Sequence, residues 1–337
     1  MTEQVVLPSG SNEAKPVSSR TGFVPGTFHL SPLGERNLLW AACSKNGSGS
    51  HIEDDYSQPS LSRFVRDIFD HSGISVMDVV TKYLELAYHW LPTLDRDAVY
   101  GEAAYFSSDE SISHDSFALL LLCMHMFAES PCQHQSQLAQ SALYQTARQL
   151  FVILQSSAGT SALTLLQCGI IMTTYACGHG LSREAYETLT ICIGLIRRLS
   201  IDGYTAPELK NDSNGNHCSQ LELDLCWSGI ILLDRTVVLS EIDRCLPYLV
   251  EANHLPPSSA IFQVSKADLY GRDAIRNLLA RAEHAIRIGD LLKAIRGSDA
   301  DKYEAVETEI YTQISDYICT TQGGSFPLCE TVAMSLR

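Results

Sequence analysis

Within Ser219–Pro256, the run Leu225–Leu233 carries no charged side chain, and this limits what the chain can fold into. Leu221, Leu225 and Leu232 fall on one side at helical spacing, while Leu223, Trp227, Ile230, Ile231 and Asp234 occupy the rest of the circumference. A helix that is apolar all round needs neighbours on most sides. The run therefore predicts a central, buried helix in an all-α, multi-helix globular domain. Ser219 followed by Glu222 supplies a capping box at its start, the hydroxyl accepting from a first-turn N–H and the carboxylate reaching back.

The charged pair Asp234–Arg235 ends the apolar run. Carboxylate and guanidinium groups are rarely buried without partners. Arg244 is close enough in sequence to pair with Asp234, and a structural ion pair locking the exit of the helix is the simpler expectation. The same charges also suit an anionic-ligand or catalytic site.

Helical patterns fill the chain from residue 61 onwards. Leu61–His71 is short, with Phe64 and Ile68 on one face, and Ser75–Trp90 carries the stripe Val76, Val79, Val80, Tyr83, Leu84, Ala87. Pro92 stops that helix, since proline has no N–H for the ladder. Asp95 or Asp97 is placed to cap a helix reaching Phe106. His114–Glu129, Gln135–Gln155, Thr160–Cys177 and Ser182–Leu199 follow, the last two as an antiparallel hairpin around the Gly178–Gly180 turn. After a polar loop at 203–218 and the central helix, Asp268–Arg296 and Ala300–Thr320 are also helical in pattern. Residues 1–60 are rich in Ser, Gly, Pro and Asn and read as a tail or linker, with Leu38-Leu39-Trp40 as a small apolar island docking on the domain. The domain division is thus a tail over 1–60 and a helical domain over 61–337. No alternating β segment stands out.

The 337 residues suffice for a large core, and a 45% apolar, 19% charged composition is globular. A net charge of −15 argues against gripping a phosphate backbone, which takes clustered Lys and Arg. The 11 cysteines are scattered, odd in number and without a CxxC, so they read as reduced thiols serving as small core hydrophobes. A binuclear zinc cluster needs closely spaced thiolate pairs, and none is present, so no metal site and no cofactor are expected. The N-terminus has no charged-then-apolar signal pattern. The apolar run Phe117–Ala128 is too short to span a bilayer, so no membrane association is expected. HExxH, P-loop and GxSxG motifs are absent. Cys123 and His125, two residues apart on a helix, point to different sides and make a poor nucleophile–base pair.

Several stretches, in order, resemble the fungal-specific transcription factor domain, the regulatory middle region of fungal zinc-cluster regulators. Trp227, Ile231, Leu232, Leu233, Asp234, Arg235, Arg244, Leu246, Leu255 and Pro256 resemble its tryptophan-to-Leu-Asp-Arg segment and the proline that follows. Tyr88-His89-Trp90-Leu91-Pro92 resembles its entry, and Leu119-Leu120-Leu121-Leu122-Cys123-Met124 its leucine-rich helix. Leu165-Leu166-Gln167-Cys168-Gly169, Tyr175, Gly178-His179-Gly180 and Ala185-Tyr186 resemble a further conserved block of it. Together these cover about residues 75–258. Glu241-Ile242-Asp243 departs from the family, which tends to have glycine before its Arg-Pro. The C-terminal stretch also breaks off where the family continues into further helices.

The resemblance implies a nuclear protein controlling a metabolic or biosynthetic gene set. Lacking its own zinc cluster, the chain would act through a protein partner, a zinc-cluster regulator or co-regulator, or as a homodimer, with room for a small-molecule effector and no direct nucleic-acid binding. The rival reading is a metabolite-binding protein or biosynthetic enzyme on the same scaffold. For that rival, Tyr175, His179, Trp227, Asp234 and Arg235 are the ligand-binding candidates, lining one polar pocket between the hairpin and the central helix. The plainer expectation for His179 is a turn histidine bonded to a backbone carbonyl.

Overall fold

A computed structural model describes residues 32–44, 60–108, 115–128, 142–157, 160–205, 220–240, 246–250 and 269–296. Among them are ten helices and no strand. These are α1 (Pro32–Ser44), α2 (Leu61–Ser72), α3 (Val76–Ala87), α4 (Arg96–Phe106), α5 (Asp115–Ala128), α6 (Ala142–Leu154), α7 (Ala162–Gly178), α8 (Ser182–Thr205), α9 (Gln220–Ser240) and α10 (Leu269–Arg296). The all-α class expected from the sequence holds. Ser219, Arg244, residues 135–141 and the helical pattern over 300–320 lie outside the described residues.

Local chemistry sets the ends of several helices. Ser75, Asp95 and Ser161 accept from the backbone N–H groups of Asp78, Ala98 and Thr164 at 3.4, 3.0 and 3.3 Å, each satisfying a donor that a helix start otherwise leaves open. Asp95 is therefore the cap that was expected at Asp95 or Asp97. Gly73 closes α2 at φ 65, a left-handed conformation that glycine reaches without a Cβ clash.

The centre of the molecule is shared between α7 and α9. Helix α7 packs against α5, α6, α8 and α9, and every residue from Leu165 to Ala176 is buried. Helix α9 packs against α7, α8 and α10, with Leu223–Ile231 buried in an unbroken row. Placing the central helix at α9 alone was thus incomplete, since the α7 run Leu165–Ala176 is uncharged as well. Glycine permits the close crossings. A Cβ on Gly169 would lie 2.3 Å from Cys192 Sγ and 3.0 Å from Phe151 Cζ, so α6 and α8 approach α7 more closely than any side chain there would permit.

The segment after α3 folds inward. Trp90, Leu91, Thr93 and Leu94 are buried, and the Thr93 carbonyl accepts from Gln167 Nε2 at 2.9 Å and from the Cys226 thiol at 3.8 Å. A buried carbonyl outside a helix needs such donors, and α7 and α9 each supply one.

Two expectations are corrected. Residues 32–44, assigned to the tail, form α1, which packs on α2 and α6 with Leu38, Ala41 and Ala42 buried. The apolar island does dock, but as one face of a helix that leaves Trp40 exposed. The Asp234–Arg235 pair does not mark the exit of α9. The helix runs on to Ser240, because Val237 and Val238 continue the buried face and the charges find partners inside the fold.

Candidate functional site

Asp234 and Arg235 are both almost wholly buried, 0% and 2% exposed. Neighbouring residues on a helix do not normally face one another, yet here they pair directly, and the short segment 246–250 closes over them. Asp234 Oδ1 accepts from the Leu249 N–H at 3.1 Å and Oδ2 from the Val250 N–H at 3.2 Å. Arg235 Nη2 donates to the Val250 carbonyl at 3.0 Å, and its guanidinium carbon lies 4.2 Å from the centre of the Tyr248 ring. From α8, the Tyr186 hydroxyl donates to the Pro247 carbonyl at 3.1 Å. From α10, Gly289 comes so close that a Cβ there would lie 2.4 Å from Arg235 Nε. The ion pair thus gathers α8, α9, α10 and the 246–250 segment at one point, which we term the clasp.

Burial pushes the Asp234 carboxyl above its ordinary range, opposed by the Leu249 N–H, the Arg235 charge and the Val250 N–H. The resulting arrangement holds one segment of the chain to another. Both carboxylate oxygens are occupied by protein donors, and the guanidinium is committed to a carboxylate, a carbonyl and a ring. Arg244, the partner expected for Asp234, lies outside the described residues, and the partner seen is Arg235.

The other candidate residues occupy different positions. Tyr175 and His179 stand at the C-terminal end of α7, one turn apart, with ring centres 4.0 Å from each other. The His179 Nδ1–H donates to the Tyr175 carbonyl at 2.7 Å, as expected for a turn histidine, and fixes the ring against the helix end. Tyr144 of α6 extends the stack, its ring centre 5.3 Å from that of Tyr175. Trp227 is buried on α9, seven residues or about two helical turns before Asp234. The structure thus joins Tyr175 to His179 and Asp234 to Arg235, in a ring stack and a clasp respectively.

Four of the described cysteines are core residues, while Cys177 is half-buried and Cys43 exposed. Cys123, Cys168, Cys192 and Cys226 are buried and not in disulfides, and burial raises the Cys168 thiol well above its ordinary value and the Cys192 thiol to about 12. Thiols so far from ionisation are poor nucleophiles and poor metal ligands. No cluster of metal-binding side chains occurs among the described residues, and no helix there is long and apolar enough to cross a membrane.

Sequence reasoning missed one further feature, a cleft of about 410 Å³ between the starts of α4 and α7 and the first turn of α9. Asp95, Glu102 and Glu222 stand around it, Val99, Leu120 and Leu163 give it an apolar lining, and Gln167 lines it from α7. The available signal was Gln167 itself, a lone amide in an otherwise uncharged helix, where a buried polar group needs a stated partner.

Comparison of this chain with protein-family models, with curated proteins and with solved structures returned no match.

Proposed function

We propose that the chain is a transcription-regulator-like protein that controls a metabolic or biosynthetic gene set through its helical domain, working in the nucleus by way of a protein partner. The clasp carries this reading. The Leu-Asp-Arg stretch, which bears much of the resemblance to the fungal regulatory domain, is turned inward and engaged by the chain's own backbone, as suits a domain built for assembly rather than bond-making. The net charge of −15 supports action through a protein and not through a phosphate backbone. The ordered all-helical packing around α7 and α9 is the architecture the resemblance implies.

The test is a reporter assay with the full chain fused to a heterologous DNA-binding domain. The fusion is expected to change reporter output, and Asp234→Ala is expected to remove the effect. A well-expressed, folded fusion that leaves the reporter unchanged overturns the reading. The unfused chain is expected to show no salt-sensitive affinity for duplex DNA, and tight sequence-selective binding overturns the partner-dependent part. The rival, a metabolite-binding protein or biosynthetic enzyme on the same scaffold, is favoured by one observation, the cleft beside α9.

A further inference from the structure

We draw no further inference here: the strongest candidate, the exposed apolar surface that Trp40 and Val152 give to the packed helices α1 and α6, carries nothing because nothing in the structure shows what covers it.

Discussion

Toward its C-terminal end α9 carries Asp234 and Arg235, buried and enclosed by the 246–250 segment, whereas Glu222 in its first turn, twelve residues or about 18 Å away, borders an open cleft. One helix thus carries charge in two settings. At the clasp, backbone N–H and C=O groups of the 246–250 segment bond both carboxylate oxygens and one guanidinium nitrogen, with Arg235 Nε left buried against Gly289, so the charges stabilise the fold only as a set. At the cleft, Asp95, Glu102 and Glu222 stand at the rim, and Gln167 lines it from α7 with its Nε2 donating to the Thr93 carbonyl.

The largest effect should come from breaking the clasp. Asp234→Ala leaves Arg235 buried with its charge uncompensated and two backbone N–H groups unsatisfied, and is expected to lower stability by about 3–5 kcal/mol in urea unfolding. Asp234→Leu combined with Arg235→Met removes both charges and should recover much of that loss. A cost below about 1 kcal/mol for the single variant would mean that the pair does not hold this end of α9.

Gly289→Ala is next. Within a helix this change normally gains about 1 kcal/mol. Here the new methyl meets the guanidinium stem of a side chain pinned at both its other nitrogens, so a net loss of about 1–3 kcal/mol is expected. The sign of the change decides. A gain in unfolding midpoint shows that Arg235 is free to move aside.

Acid pH should weaken the core through two histidines set into it. His125 of α5, set against Phe69, has its pKa pushed down from 6.5 to about 4, chiefly by burial. The unfolded chain therefore binds the proton more readily, and stability present above pH 6.5 is lost as pH falls towards 4, by about 2 kcal/mol at pH 5. His89, whose pKa is lowered mainly by burial, acts in the same direction. Asp234 has the opposite sign. Its raised pKa makes the folded chain hold the proton more tightly, so its contribution falls as pH rises just above the ordinary carboxylate range. Unfolding of His125→Leu across this range should show a flatter slope, and an unchanged slope would assign the pH dependence elsewhere.

The smallest effect belongs to the open end. Glu222→Gln should change stability by no more than about 0.5 kcal/mol, since glutamine serves at this capping-box position as glutamate does and the site is only half-buried. A loss approaching that of Asp234→Ala would abolish the contrast between the two ends.

Much of this protein could be read before any coordinates. The 3.6-residue stripe of α3, the start of α4 at Asp95 or Asp97, the glycine-bounded hairpin of α7 and α8, and the envelopment of Leu225–Leu233 all follow from local pattern, because a helix shows its buried face in the spacing of its own side chains. His179 as a turn residue follows for the same reason, since its partner carbonyl is four residues back. What sequence could not decide was pairing across the fold. Arg244 was the natural partner for Asp234 by loop distance; the fold brings Arg235, Leu249 and Val250 to it, and the room for the guanidinium comes from Gly289 on another helix. The cleft was hidden for the same reason, its carboxylates lying on α4 and α9 and its amide on α7. The sequence by itself determined the helices and which faces they bury, since those depend on neighbours one turn away. Tertiary structure alone decided which charges are closed off and which stay open, since that depends on groups brought together from distant parts of the chain.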